Sequence, residues 1–435
     1  MLTAIRRIFP NTDKLKITDE FKYSLDLFEK SSDNFFLTGN AGTGKSTLVN
    51  LFRSQTAKKV AVLAPTGMAA INVRGQTIHS FFKLPPRMIT EEVINQTRSR
   101  NRIYKTIDTY IIDEASMVRA DLLDGIDLFL RRFGRNENQP FGGAQMILVG
   151  DLFQLPPVVT YYEREALGQL YETPYFFSAQ TYPKARFSTI ELSEIFRQND
   201  KEFIDTLNNI RVGEIDTQRL EQINTKVNKS KPRFAKHPVT LTSTNSVADT
   251  INLSELKKLS TPEETFEATI KGKFPTQERT TPAPIELTLR KNARVMFVKN
   301  GAKWVNGSLG KVVDWDDDSI QVKLDESGEI ITTQQEKWEY IRYVYDQITD
   351  KVEQEVLGSF HQFPLRLAWA ITIHKSQGMT FDKVRIDYSQ SPFTHGQTYV
   401  ALSRCRNLNG LSLSKQIFPN DVIVDDRIVQ FLKTS

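Results

Sequence analysis

The segment 39–46, G-N-A-G-T-G-K-S, constrains the fold of this chain more than any other part of it. Its three glycines allow a bend in which successive backbone N–H groups converge on phosphate oxygens. The apolar run at 35–39 predicts a strand before the loop, and S-T-L-V-N-L-F-R predicts a helix after it. A glycine-rich loop in this context is typical of a nucleoside triphosphate site. The predicted nucleotide-binding residues of the loop are Gly39, Gly42, Thr43, Gly44, Lys45, Ser46 and Thr47.

Individual side chains in and after this loop have distinct predicted roles. Lys45 is expected to reach the β- and γ-phosphates of ATP, and the Ser46 hydroxyl to bind Mg²⁺. Asp113 and Glu114 follow another apolar strand, which would place both carboxylates beside the phosphates. Asp113 would complete the Mg²⁺ site, and Glu114 would act as the general base on the attacking water. A solvated acidic pair is the alternative.

Three further residues are predicted to act in catalysis. Gln154, in V-G-D-L-F-Q-L-P-P, carries an amide that both donates and accepts, so it is expected to sense the γ-phosphate and position water. Arg197, in I-F-R-Q, and Arg404, in A-L-S-R-C-R, lie in the predicted second lobe. A guanidinium brought to the γ-phosphate stabilises transition-state charge, an effect of roughly 10³–10⁵ in rate. A surface salt bridge is the alternative for either arginine.

The pattern of apolar runs predicts an α/β protein with two lobes. Short runs alternate with helical stretches at 35–39, 60–65, 110–113 and 146–151, which indicates a parallel sheet covered by helices. Similar runs predict a second α/β lobe, at 239–243, 367–373 and 383–387. The predicted domains are a first lobe at 1–185 with an arm at 80–106, a second lobe at 186–251 and 359–435, and a small inserted β-barrel at 252–358.

Composition narrows the class of protein. The net charge is only +5 with a pI near 9.0, so general solubility and a locally basic groove for a polyanion both remain open. The single cysteine excludes an internal disulfide, and the five histidines lack metal-ligand spacing. No apolar run is long enough to span a membrane, so we expect a cytoplasmic protein without a membrane partner.

Several segments that follow strand or turn signals offer hydroxyls, backbone amides and a histidine, and their residues are candidates for contacts with a single-stranded nucleic acid backbone. They are Pro65, Thr66, Gly67, Met68, Thr77, His79, Phe82, Thr244, Asn245, His374 and Ser376. Phe81, Phe82 and Trp304 offer rings on which bases could stack, with core packing as the alternative for the phenylalanines. A hydrogen-bonded core position is the alternative for His79.

In their order along the chain, the motifs resemble those of superfamily-one helicases. The resemblance is to the 5′-to-3′ branch, which includes the RecD-like and petite-integration-frequency (Pif) helicases. It rests on G-N-A-G-T-G-K-S, A-P-T-G-M-A-A, T-I-H-S-F-F, I-I-D-E-A-S-M-V, V-G-D-L-F-Q-L-P-P, L-S-E-I-F-R-Q, I-T-I-H-K-S-Q-G-M-T and T-Y-V-A-L-S-R, which together extend over residues 35–410.

The resemblance implies two RecA-like P-loop lobes, ATP in the cleft between them and single-stranded DNA bound across both. It implies that 80–106 is a wedge-like arm, that Gln377 and Gly378 couple the two sites, and that Lys299 and Asn306 approach DNA from a Src-homology-type barrel. The expected activity is ATP- and Mg²⁺-dependent unwinding of duplex DNA with 5′-to-3′ movement by a monomer. The expected partners are single-stranded DNA and its junctions with duplex, with G-quadruplexes and RNA–DNA hybrids left open.

One departure from the family concerns adenine. Relatives place a glutamine upstream of the phosphate loop, where this chain has Phe21 after I-T-D-E. Asn11 or backbone groups near Pro10 are expected to recognise adenine in place of that glutamine.

Two alternative functions remain open: a translocase that strips proteins from DNA with little unwinding, and a nucleotide-switched clamp. A small-molecule kinase would share the phosphate loop but would not need I-H-K-S-Q-G or Y-V-A-L-S-R.

Overall fold

The computed structural model describes residues 17–85, 87–96, 102–159, 161–196, 200–227, 238–276, 281–304, 306–346 and 351–434. The first lobe is built on a six-stranded parallel sheet with strand order β3-β2-β4-β5-β1-β6. The strands are β1 (Phe35–Gly39), β2 (Val60–Ala64), β3 (Gln76–Thr77), β4 (Thr109–Ile112), β5 (Gln145–Val149) and β6 (Ser188–Leu192). The central strands are buried along nearly their whole length because helices cover both faces.

The helices of the first lobe connect these strands in the order expected for an α/β fold. They are α1 (Asp19–Lys30), α2 (Lys45–Gln55), α3 (Gly67–Asn72), α4 (Ile78–Phe82), α5 (Glu91–Gln96), α6 (Ala120–Phe133), α7 (Tyr161–Leu170) and α8 (Thr181–Ala185). No helix in the described parts of the chain is long and apolar enough to cross a membrane.

The first sheet extends past the predicted lobe boundary at residue 185. Strand β6 pairs in parallel with β1, from Phe35 opposite Ser188 to Gly39 opposite Leu192. The first lobe therefore includes residues up to at least 192. The boundary was placed too early because the alternating polar sequence of β6 lacks the continuous apolar run of a central strand.

The second lobe begins with α9 (Lys201–Val212), α10 (Thr217–Asn224), β7 (Val239–Thr242) and α11 (Asn245–Lys257). A set of antiparallel strands then follows: β8 (Glu263–Glu267), β9 (Thr269–Gly272), β10 (Glu286–Arg290), β11 (Arg294–Phe297), β12 (Leu309–Trp315), β13 (Ser319–Leu324), β14 (Ile330–Gln334), β15 (Glu336–Asp346), β16 (Lys351–Gln362) and β17 (Leu365–Leu367). They form sheets β10-β8, β14-β13-β12-β11-β17 and β15-β16-β9. The predicted antiparallel insertion is present and extends to residue 367, beyond 358, and its closure into a barrel stays a prediction.

The chain then returns to the second lobe and completes its sheet. The remaining elements are β18 (Ala370–Thr372), β19 (Val384–Asp387), α12 (Gln397–Leu402), β20 (Leu411–Leu413) and α13 (Asp426–Thr434). The four strands β18-β7-β19-β20 are parallel. An apolar core continues from the first lobe, where it includes Phe153 and Leu155, into the second, where it includes Tyr399 and Val400. The two lobes thus meet at the carboxyl end of β5.

Candidate nucleotide and nucleic-acid sites

The phosphate loop has the backbone geometry that its glycines predict. Gly42 and Gly44 have φ angles of +91° and +84°, in the left-handed region that favours glycine. Helix α2 begins at the next residue, Lys45, so its N-terminal end points into the loop. A side chain at Gly44 would meet the Phe21 ring, whose Cζ lies 2.8 Å from the position that a Cβ would occupy. Only glycine therefore fits this turn.

The lysine and threonine of the loop are held by loop carbonyls. Lys45 Nζ donates to the carbonyl oxygens of Gly39 at 2.7 Å and Asn40 at 2.9 Å. The buried Thr43 hydroxyl donates to the same Asn40 oxygen at 3.0 Å. A triphosphate entering the loop would offer the Lys45 ammonium stronger, charged acceptors than these neutral carbonyls.

Two side-chain oxygens that could bind Mg²⁺ lie together at the predicted metal site. The Ser46 hydroxyl donates to Asp113 Oδ2 at 3.4 Å. Burial raises the pKa of Asp113, and the Glu114 N–H and the Lys45 ammonium oppose that shift. Mg²⁺ is usually bound by one or two side-chain oxygens together with substrate phosphates. A hydroxyl and a carboxylate at this separation therefore fit Mg²⁺.

Glu114 is placed to act as a base. It has a φ of +54°, an uncommon left-handed conformation for a residue with a side chain. Burial, reinforced by the neighbouring Asp113, raises the pKa of Glu114 to about 7. A carboxylate whose pKa lies near the working pH is well matched to accept a proton from water.

These groups open into a cleft of about 690 Å³ between the two lobes. The first lobe supplies Phe21, Ala41, Gly42, Gly44, Lys45, Ser46, Thr47, Asp113, Glu114, Gly150 and Gln154, and the segment after β6 supplies Phe196. The second lobe supplies Gly378, Thr380, Arg404 and Arg406. Of the described residues that were predicted to bind nucleotide, Gly39, Thr43 and Gln377 do not line it. The cleft is therefore assembled from both lobes.

Arg404 reaches this cleft from the end of α12. Its guanidinium is buried and donates from Nε to the Val400 carbonyl at 2.9 Å, and from Nη1 to the carbonyls of Ser376 and Met379 at 3.3 and 3.2 Å. Backbone carbonyls thus orient the group, and its positive charge opposes the rise in the pKa of Glu114. Arg197, the other predicted arginine, lies outside the described residues.

The part of the cleft beside α1 is aromatic in the described structure, where Phe21 and Phe196 line it. The Phe21 and Phe196 rings meet edge to face with centroids 6.3 Å apart. Phe21 is buried, whereas 41% of Phe196 is exposed. The Thr18 side chain caps α1 and accepts from the Phe21 N–H at 3.1 Å, and the Phe21 ring lies against Gly44 of the phosphate loop. Asn11 and Pro10, the expected substitutes for an adenine-reading glutamine, lie outside the described residues.

The predicted DNA contacts of the first lobe lie around α3 and α4. Pro65 and Thr66 connect β2 to α3, which begins at Gly67, and the Thr66 hydroxyl accepts from the Ala69 N–H at 3.2 Å. The Met68 side chain lies outside the described residues. Thr77 caps α4, accepting from the Ser80 N–H at 3.3 Å.

Phe82 is corrected from a DNA contact to a core residue. Its ring is completely buried and packs against Phe81, Tyr104 and Phe129, with centroids 4.9, 6.1 and 5.3 Å away. No face of the ring is available to a base. His79, on the same helix, is half-buried, and burial together with Arg119 lowers its pKa, so the imidazole is neutral.

The predicted contacts of the second lobe differ in accessibility. His374 is half-buried, and burial lowers its pKa. Ser376 is completely buried, and its hydroxyl donates to the Ile373 carbonyl at 2.7 Å, so the side chain cannot reach DNA in this conformation. This residue instead helps to hold Arg404 through its carbonyl. Thr244 and Asn245 lie at the start of α11, where both are half-buried.

The two contacts implied for the insertion are also engaged with protein. Lys299 Nζ lies 2.8 Å from Glu336 Oε2, donates to the Lys337 carbonyl at 2.8 Å and sits 5.2 Å from the Trp338 ring centroid. The Asn306 N–H donates to Asn300 Oδ1 at 2.7 Å. Lys299 would have to leave Glu336, or share it, to bind a phosphate.

Sequence reasoning missed two residues beside the cleft. Arg211, on α9, donates from Nε to Asp151 Oδ1 at 3.2 Å, and the Tyr399 hydroxyl donates to Asp151 Oδ2 at 3.2 Å. A partial signal was available, because Tyr399 belongs to the same T-Y-V-A-L-S-R motif as Arg404. Arg211 has no comparable local signature.

A family model described as PIF1-like helicase matches residues 14–221. The chain is 33% identical to the ATP-dependent DNA helicase Pif1 of Bdellovibrio bacteriovorus, over 97% of this chain and 92% of that protein. It is 31% identical to the ATP-dependent DNA helicase PIF1 of Emericella nidulans, over 95% of this chain but 62% of that longer protein.

Solved structures of a Bacteroides Pif1 resemble the whole fold at 36% identity, with 97% of both chains covered. The TM-score is 0.88 for that protein in complex with ADP-AlF4 and 0.70 for it bound to single-stranded DNA. The near full-length similarity to the Bdellovibrio protein and the matching family model lead to one conclusion: this chain, with its phosphate loop and interlobe cleft, belongs to the PIF1-like helicase family.

Proposed function

We propose that this protein is an ATP-dependent DNA helicase that moves 5′ to 3′ along single-stranded DNA and separates the duplex ahead of it. The observation that carries the proposal is the cleft between the lobes. Lys45, Glu114 and Gln154 line it from the first lobe, and Arg404 lines it from the second. ATP in this cleft would contact both lobes, so binding and hydrolysis would change how they meet.

The described side chains divide the chemistry of hydrolysis among them. Lys45 and the loop amides bind the phosphates, while Ser46 and Asp113 hold Mg²⁺, which neutralises phosphate charge when bound. Glu114 accepts a proton from the attacking water, and Gln154 orients that water. Arg404 stabilises the negative charge that develops on the γ-phosphate.

Single-stranded DNA would cross both lobes near α3, α4 and the His374 segment. Contacts to the backbone make such binding tolerant of sequence and sensitive to salt. Junctions with duplex are the proposed site of unwinding, and G-quadruplexes and RNA–DNA hybrids are further candidate substrates. The monomer is the proposed working unit, since this chain by itself supplies the phosphate loop, Glu114, Gln154 and Arg404 to the cleft.

The clamp and translocase alternatives make different predictions. A nucleotide-switched clamp needs ATP binding but not a base, a water-orienting amide and an arginine together, and all three line this cleft. A protein-stripping translocase would use the same residues as a helicase, so only strand separation distinguishes the two.

Two measurements on the wild-type protein test the proposal. We expect ssDNA to stimulate ATP turnover, and we expect displacement of the shorter strand from a forked duplex with ATP and Mg²⁺. Slow turnover that DNA leaves unchanged would favour the clamp. Stimulated turnover without strand displacement, accompanied by removal of streptavidin from a biotinylated strand, would favour the translocase.

A further inference from the structure

A buried carboxylate at the end of β5 joins the two lobes. Asp151 follows β5 in the first lobe and is completely buried. Its Oδ1 accepts from Arg211 Nε at 3.2 Å, and its Oδ2 accepts from the Tyr399 hydroxyl at 3.2 Å. Arg211 lies on α9 and Tyr399 on α12, both in the second lobe. We call Asp151, Arg211 and Tyr399 the interlobe triad.

The same tyrosine hydroxyl also contacts the phosphate loop. It accepts from the Ala41 N–H at 3.0 Å, and Ala41 lines the nucleotide cleft. One phenol oxygen therefore bridges the phosphate loop and the segment after β5, which are 110 residues apart in sequence (151 − 41). These two contacts exist only when α12 is seated against the first lobe.

The triad is connected to a catalytic group on each side of the cleft, Gln154 by contact and Arg404 through α12. Asp151 Oδ1 accepts from the Phe153 N–H at 3.2 Å, and Oδ2 lies 3.5 Å from the Gln154 side-chain amide. These contacts fix the short segment that presents Gln154 to the cleft. Tyr399 and Arg404 lie on and just after α12, so seating the tyrosine also places the arginine.

Charge favours this arrangement. Burial acts to raise the pKa of Asp151, but Arg211 and Lys45 outweigh it and the pKa is lowered, so the carboxylate is ionised. Burial and the adjacent Asp151 raise the pKa of Tyr399, so its hydroxyl keeps the proton that it donates. The Arg211 guanidinium also lies 4.4 Å from the Phe153 ring centroid.

His395 of the second lobe makes another hydrogen bond to the segment after β5. The His395 Nδ1 accepts from the Asp425 N–H at 2.9 Å, so the neutral ring must carry its proton on Nε2. That Nε2–H donates to the Leu152 carbonyl at 2.9 Å, one residue after Asp151. Burial lowers the pKa of His395, which favours the neutral ring.

We propose that Tyr399 is a positioning residue for ATP hydrolysis, and that the interlobe triad is the contact through which lobe closure brings Arg404 and Gln154 into place together. The inference rests on the proposed function, since it concerns how the catalytic groups of that same nucleotide site are positioned. The lobes meet through the triad when ATP is bound, and DNA stimulates turnover by favouring this closed arrangement.

Removal of one hydroxyl tests this role. In Tyr399→Phe the ring still packs, but the Ala41 N–H and Asp151 lose a buried hydrogen-bond partner, which disfavours closure. We expect the ssDNA-stimulated kcat to fall about tenfold or more, with ADP affinity in the absence of DNA and the thermal midpoint little changed. Tyr388→Phe is the matched control, because Tyr388 is also buried and the groups that affect its hydroxyl, Thr398 and Asp421, belong to the second lobe.

A double-mutant cycle separates positioning from general stability. If Tyr399 acts through Arg404, then adding Tyr399→Phe to Arg404→Ala should cause little further loss of kcat. Equal losses of kcat in Tyr399→Phe and Tyr388→Phe, or fully additive losses with Arg404→Ala, would overturn the proposal.

Failure of the triad proposal can be distinguished from failure of the proposed function. Wild-type turnover without any response to ssDNA would reject the function itself, whereas normal stimulation in both wild type and Tyr399→Phe would reject only the triad.

Discussion

The nucleotide cleft and the predicted DNA contacts of this protein differ in how far they are formed in this structure. In the cleft, Lys45, Asp113, Glu114 and Arg404 already converge on one space of about 690 Å³. On the DNA side, Ser376 is buried and Lys299 is paired with Glu336. The cleft is thus largely preorganised, whereas some DNA contacts require side chains to exchange partners.

The difference follows from what each site binds. A triphosphate is compact and always presents the same charges, so backbone amides and a few fixed side chains can be arranged for it in advance. A nucleic acid strand is extended and varies in sequence, and it is gripped by phosphate contacts that are distributed and individually weak. Substitutions in the cleft should therefore have larger effects on activity than substitutions on the DNA side.

The largest effect is expected for Lys45→Ala. The loss of the ammonium removes both phosphate binding and charge stabilisation, so ATP hydrolysis should fall to background while part of the ssDNA affinity remains. Steady-state phosphate release and fluorescence anisotropy with labelled ssDNA measure the two properties. Lys22→Ala is the control, since Lys22 is an exposed residue on α1 that pairs with Asp19. Full turnover by Lys45→Ala would remove the nucleotide site from this loop.

Arg404→Ala should be nearly as severe for catalysis but not for binding. An arginine that acts only on the transition state contributes roughly 10³-fold or more to the rate, so kcat should fall by about that factor. ATP affinity should change much less, because the loop and Lys45 remain. Equal losses in kcat and in ATP affinity would mean that Arg404 binds the ground state instead.

Phe82→Leu tests the core assignment. The larger ring fills a buried aromatic cluster, so its replacement should lower the free energy of unfolding by about 1–2 kcal/mol. The affinity for ssDNA should stay within about twofold of wild type, because no base can stack on the buried Phe82 ring. Chemical denaturation and anisotropy measure these quantities. Greatly weakened DNA binding without a loss of stability would restore the stacking role.

The smallest effect is expected for Lys299. As a phosphate contact in competition with Glu336, it should contribute only about two- to fivefold to ssDNA affinity. Lys299→Ala should weaken binding and reduce the slope of log affinity against log salt by about one. Glu336→Gln should have the opposite effect, since it releases the ammonium.

A double variant extends this test. The combination of Lys299→Ala and Glu336→Gln should match Lys299→Ala alone, because Glu336 acts on DNA only through that lysine. An unchanged salt slope in Lys299→Ala would show that the lysine is a structural partner of Glu336 and Trp338.

The features that the sequence predicted best are those set by residues close together in the chain. The phosphate loop, the acidic pair after β4 and the parallel sheets all follow from contiguous spacing and apolar runs, and the structure contains them. Phe82 was misassigned because an apolar residue on a short helix gives no sign of which face is buried. The edge strand β6 was missed for the opposite reason, since its polar residues hide its pairing with β1.

Contacts between residues that are far apart in the chain could not be predicted from the sequence, because only the folded structure brings those residues together. Asp151, Arg211 and Tyr399 are brought together by lobe contact across a separation of up to 248 residues. Nothing near Arg211 in sequence signals a buried carboxylate partner. The pairing of Lys299 with Glu336 is likewise a tertiary contact, between residues 37 positions apart in sequence.

The helicase assignment depends above all on strand displacement from matched duplexes that carry either a 5′ or a 3′ single-stranded tail, with ATP and Mg²⁺. We predict unwinding of the 5′-tailed substrate alone, and none by Lys45→Ala on either substrate. Unwinding confined to the 3′-tailed duplex would contradict the proposed direction of movement. No unwinding from either tail, with ssDNA-stimulated ATP hydrolysis intact, would contradict the helicase function and leave an ATP-driven translocase.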